Sequence, residues 1–148
     1  NNVANSLTIC GALLGVNVRI ASPKNYEPKK SIVDKASNLA TEGATISIFN
    51  DPSVAVRGSS AIYTDVWASM GQEDEKKKRL KAFEGFCVDK RLLDFSKKDS
   101  IVLHCLPAHR GEEITDEVLE SNQSQVFRQA ENRMHVQQAL LAALLGGL

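Results

Sequence analysis

Apolar positions recur along the chain at two alternating spacings, one of three to four residues and one of two. Residues 2–14 place Val3, Leu7, Cys10, Leu13 and Leu14 on one helical face, with Asn1 or Asn2 as N-cap and Gly15 as the stop. Residues 16–21 then alternate apolar and polar like a short strand, which Pro23 ends. Residues 29–42 return to helical spacing through Ile32, Val33, Ala36, Leu39 and Ala40, and Gly43 is placed to close that helix. A second strand is predicted over 44–49, a short helix from Asp51-Pro52 to Val56, and a third strand over 61–65. Residues 72–83 form a charged surface helix, and 99–107 a fourth strand that runs into a loop. Residues 116–120 make one helical turn, and 131–145 the last helix.

Strands separated by helices predict an α/β fold, a Rossmann-like three-layer α/β/α sandwich around a mostly parallel sheet. The chain opens on a helix, whereas a doubly wound unit begins with the strand that feeds that helix. The first strand is therefore expected to be missing from this chain. Ligands in such sheets bind beyond the carboxyl ends of the strands. Three polar clusters fall there: Asp65, His104-Cys105, and residues 21–24.

Composition narrows the class. With 148 residues, 18 Lys+Arg against 18 Asp+Glu, 43% hydrophobic and 24% charged residues, the chain is that of a soluble globular domain without a polyanionic partner. No run approaches the roughly 20 apolar residues that span a bilayer, and neither a signal peptide nor a transit pattern opens the sequence. Three widely spaced cysteines, Cys10, Cys87 and Cys105, point to a reducing, cytosol-like compartment rather than a disulfide framework.

Four segments carry candidate chemistry. Asp65 and Ser69, four residues apart after a strand and ahead of Gly71, suit an ammonium ligand; read locally, they are also helix caps. Cys105 closes the most apolar strand, where a tuned thiol can serve as nucleophile or acid–base group, or else as a small core hydrophobe. Cys105, His109 and His104 lack the spacing of a metal site, because Pro107 interrupts any helix between them. Arg133, read as lying at the start of the last helix, would add a guanidinium fork to an anion-attracting terminus, or simply pair with Glu131. The amides of residues 1–6 offer donors for a carboxylate or plain capping. The run 73–81 reads as a solvated helix face.

In this order, NNVANSL, DVWASMGQE, HCLPAHRGEEIT and FRQAENRMH resemble the second half of the ornithine carbamoyltransferases, over essentially the whole chain. The Ser-Met-Gly after Asp65 is what ornithine-specific members carry. The resemblance implies transfer of the carbamoyl group of carbamoyl phosphate to the δ-amine of L-ornithine, giving L-citrulline and phosphate in arginine biosynthesis or the urea cycle. It implies that Asn2, Asp65, Ser69 and the Met70 main chain hold ornithine. Cys105, with Asp65 beside it, would act at the reacting amine. The Cys105-Leu106 main chain and Arg133 would contact carbamoyl phosphate. It also implies a homotrimeric parent, no cofactor and no metal.

The family's Ser-Thr-Arg-Thr-Arg and His-Pro-x-Gln motifs do not occur here. The chain is therefore expected to be the ornithine-binding half, inactive alone, with residues 1–131 as that domain and 132–148 as a helix for the absent carbamoyl-phosphate domain. A cytoplasmic location is expected, or a mitochondrion or plastid if a transit peptide preceded it. The alternatives are a non-catalytic amino-acid-binding module and a carbamoyltransferase with another amine acceptor.

Overall fold

The computed structural model describes residues 2–68 and 73–146. Helix α1 (Asn2–Leu13) is followed by β1 (Val18–Ala21), α2 (Lys30–Leu39), β2 (Ile46–Phe49), α3 (Pro52–Val56) and β3 (Ala61–Thr64). Then come α4 (Glu73–Ala82), α5 (Lys90–Leu93), β4 (Ile101–His104), α6 (Asp116–Leu119) and α7 (Val126–Leu144). Gly15, with φ of 72°, ends α1 in the left-handed turn that glycine adopts without a Cβ penalty.

The strands are parallel, as the alternation of elements predicts. β1 pairs with β2 from Val18↔Ile46 to Ala21↔Phe49, and β3 with β4 from Ala61↔Ile101 to Thr64↔His104. Helices link each pair, because parallel neighbours need a crossover. Among the described residues the strands form two such pairs, with no ladder joining them. The apolar core is correspondingly lopsided. Val56, Ile62, Val88, Leu93, Val102, Ile114, Val118, Leu119 and Val126 form one cluster around β3 and β4. On the β1–β2 side the buried side chains of α1 and α2 are small: Thr8, Ala12 and Ala36.

Most elements are shorter than the pattern predicts, and three differences have a clear physical cause. β4 stops at His104 because Leu106 turns the chain with φ of 57°, ahead of a cis Leu106–Pro107 bond. Helix α5 is new; it is a four-residue turn capped by Asp89, whose side chain accepts from the Leu92 N–H. Helix α7 begins at Val126 rather than 131. Gln125 supplies no side-chain cap, so no Ser or Asp marks the start. The entry is fixed instead by tertiary pairing, with the Gln125 N–H donating to Val102 O at 2.9 Å and the Val102 N–H to Gln123 O at 2.8 Å. The boundary expected at 131/132 thus falls inside α7, whose residues 130–141 are all exposed. No helix among the described residues is long and apolar enough to cross a membrane.

Candidate active site at the strand ends

A cleft of about 390 Å³ opens where β1 and β3 end and α1 begins. Its walls include Asn2 and Asn5 of α1, Ala21 and Ser22 at the end of β1, and Asp65, Val66 and Trp67 after β3. Asn2 and Asp65, singled out from the sequence, therefore share one cavity, as does the cluster at 21–22. The Ser22 hydroxyl is buried and has no hydrogen-bond partner among the described residues, which leaves a polar atom on this wall to be satisfied.

The far wall was not legible in the sequence. Arg79, read as part of a solvated helix face, points inward. Its guanidinium donates to Trp67 O at 3.3 Å and to Glu75 Oε2 at 2.9 Å, and lies 5.5 Å from the centre of the Tyr26 ring. Trp67 stacks on Phe83 at 5.6 Å, and Tyr26 meets Phe83 edge-on at 5.2 Å. Tyr26, Trp67 and Phe83, with Arg79 among them, line the cleft together with the first residues of α1.

Cys105 and Asp65 come together as the strand register requires. Thr64 lies opposite His104, so the next residues along, Asp65 and Cys105, emerge side by side. The Cys105 thiol donates to Asp65 Oδ1 at 2.9 Å. Burial, followed by the hydrogen bond and charge of Asp65, pushes the thiol up to about 11. At neutral pH it holds its proton.

Behind the thiol, His104 is fully buried. Its Nδ1 accepts from the Leu106 N–H at 2.8 Å, which leaves the ring proton on Nε2, facing Glu113 Oε1 at 3.0 Å. Glu113 also accepts from the His109 N–H at 2.6 Å. Burial opposes ionisation of Glu113, but the bonds from His104 and His109 outweigh it and hold the carboxyl below its usual range. These bonds explain why Cys105, His104 and His109 do not converge. His109, Glu112 and Glu113 do bring ligand-type atoms within 4.8 Å of one another, but Glu112 is already paired with Lys76 at 3.0 Å.

One expectation changes. Arg133 lies seven residues beyond the first residue of α7, exposed on its middle, so the anion-attracting terminus expected there is not at Arg133. The Leu106 N–H is engaged by His104 and is not an open donor. Ser69 and Met70 lie outside the described residues, as does Asn1.

A polar cleft beyond the carboxyl ends of parallel strands, with a thiol held on a carboxylate at its edge, places this chain among the ligand-binding, Rossmann-like α/β proteins. Residues 1–144 match the model of the aspartate/ornithine carbamoyltransferase Asp/Orn binding domain, and the chain belongs to that family. It is 62% identical over 148 residues to the ornithine carbamoyltransferase of Parasynechococcus marenigrum, covering all of this chain and 46% of that protein. With the ornithine carbamoyltransferase of Prochlorococcus marinus the identity is 65%, at the same coverage. Among solved structures, the ornithine carbamoyltransferase from Pyrococcus furiosus superposes with a TM-score of 0.90 at 48% identity, over 97% of this chain and 46% of that one. The chain thus spans about half the length of the curated relatives it matches.

Proposed function

We propose that this chain is the ornithine-binding half of an ornithine carbamoyltransferase, which transfers the carbamoyl group of carbamoyl phosphate to the δ-amine of L-ornithine. The observation that carries the reading is the Cys105–Asp65 pair at the edge of a cleft that also contains Asn2. Asp65 suits the α-ammonium of ornithine, with Asn2, Ser69 and the Met70 main chain completing the hold on its backbone groups. Burial is the larger cause of the raised thiol, but an ammonium at Asp65 offsets the charge that adds to it, so substrate binding eases loss of the thiol proton to water and leaves the thiolate that can accept the proton of the δ-amine.

The amine attacks in its neutral form, and the tetrahedral centre that follows needs donors for its oxyanion. Arg133 supplies positive charge toward carbamoyl phosphate. Whatever the Leu106 main chain gives to the carbamoyl group comes from its carbonyl, since its N–H is bound to His104. Residues 1–131 form the ornithine domain, and residues 132–148 extend a helix to a carbamoyl-phosphate domain. The parent is a cytoplasmic homotrimer of arginine biosynthesis.

Citrulline formation tests this. The purified 148-residue chain with ornithine and carbamoyl phosphate is expected to give none, and mixing it with the unmatched half of the Prochlorococcus relative is expected to restore it. Turnover by the chain alone, or none from a mixture in which the halves associate, overturns the reading. Calorimetry should show weak ornithine binding that Asp65→Ala abolishes.

A further inference from the structure

Two polar side chains behind Cys105, Tyr63 and Gln129, have no part in carbamoyl transfer as described above. Gln129 sits in the first turn of α7, and its Oε1 accepts from the main-chain N–H of His104 at 3.1 Å. That bond fixes the amide's orientation, because a main-chain N–H demands an acceptor. The amide N–H₂ is thereby turned to Tyr63 Oη, to which it donates at 3.1 Å. Having accepted from Gln129, the tyrosine keeps its own proton to give.

Tyr63 and Asp65 are two residues apart on β3 and its extension, hence on the same face of the sheet, and the β3–β4 register brings Cys105 beside them. The tyrosine hydroxyl lies near enough to the thiol for each to shift the other's ionisation, the thiol raising the tyrosine and the tyrosine lowering the thiol. Three bonds run in one sense, His104 main chain to Gln129, Gln129 to Tyr63, and Cys105 to Asp65 at 2.9 Å, and the Tyr63 proton is left to give.

We propose that Tyr63 and Gln129 are positioning residues for Cys105, in which the amide anchored on the His104 main chain turns the tyrosine O–H onto Sγ and so aims the thiol proton at Asp65. The use made of the thiol rests on the carbamoyl-transfer reading; the hydrogen-bond chain does not. A donor on Sγ favours thiolate, so removing it raises the thiol further and slows its reaction with electrophiles.

The test is the pH profile of iodoacetamide alkylation of Cys105 in the full chain, with Cys10 and Cys87 replaced by Ser. Tyr63→Phe is expected to move the midpoint up by about one pH unit, which is roughly a tenfold lower rate at pH 9. Gln129→Met, which keeps the bulk and loses the N–H donor, is expected to shift it in the same direction. Asp65→Asn should shift it down. A side chain that only packed would, when replaced, loosen the site and expose the thiol, moving the midpoint down toward that of a free cysteine. An unchanged or lowered midpoint in the Tyr63 and Gln129 variants overturns the proposal. If Tyr63→Phe loses its near-ultraviolet circular dichroism, Gln129→Met alone decides. No carbamoyl transfer is needed for this readout, so its failure and failure of the citrulline assay are separate results.

Discussion

Glu113 shows how a single buried side chain ties the site to the stability of the chain. Its carboxylate is inaccessible to water and accepts from both His104 and the main chain of His109. Because these bonds hold it below the ordinary value of 4.5, the unfolded chain takes up a proton at Glu113 before the folded one does. Its stabilisation is therefore complete above the unfolded value and drains away as pH falls through the folded value. Thermal melts from pH 7 down to pH 3 should show a falling melting temperature, with a shallower fall in Glu113→Gln. Glu113→Ala leaves the buried ring N–H of His104 and the part-buried main-chain N–H of His109 unpaired and should cost about 2–3 kcal/mol at pH 7 in urea unfolding. A pH dependence identical in Glu113→Gln and the parent would refute this account. Single residues also mark how far the sequence could be read. Asp65 and Cys105 are visible in it because each follows an apolar strand, and strand ends are where ligands bind. Arg79 is not, because its inward turn depends on Trp67 and Tyr26, which lie outside the charged run that surrounds it.

Elements were legible where local chemistry sets them and illegible where distant contacts do. Gly15 and Asp51 mark a helix end and a helix start by their own conformational and capping preferences, and both stand where the structure uses them. The start of α7 carries no such mark, because main-chain bonds to β4 position it, and the pattern alone misplaces it by five residues. Gly11 is a third kind of case. Inside α1, a glycine costs about 0.5–1 kcal/mol relative to alanine, so propensity favours Gly11→Ala. A Cβ there, however, would meet Val18 Cγ2 at 2.6 Å, and the branched valine has little room to turn aside. Contact between α1 and β1 should win. Gly11→Ala is expected to destabilise the chain by about 1–3 kcal/mol in urea unfolding, with Gly11→Ala/Val18→Ala recovering most of the loss. A stabilised Gly11→Ala would show that the helix and strand separate freely.

At the scale of the whole molecule, the two parallel pairs and the long last helix share one physical problem, which is apolar or hydrogen-bonding surface without cover. Phe127, Ala130, Met134, Leu141 and Leu144 lie along one face of α7, at the three-to-four-residue spacing of a packing surface. They are exposed, Leu144 by 73% and Leu141 by 58%. A formal net charge of zero adds no general repulsion to keep copies of the chain apart. The chain alone should therefore self-associate through α7, with sedimentation velocity showing a mass that rises with concentration. Met134→Lys/Leu141→Lys puts two charges on the stripe, beyond the part of α7 that packs on β4, so the variant should stay monomeric with its circular dichroism unchanged. Association that survives both substitutions would move the sticky surface to the strand pairs. Among the described residues β1 and β3 each belong to only a two-stranded pair, and an unpaired strand edge recruits strands rather than helices. The two routes differ in kind. Helix-face association is reversible on dilution and sensitive to charge on α7, whereas edge pairing adds β-structure and is indifferent to it, so the charge variant and its spectrum together identify which surface is at work.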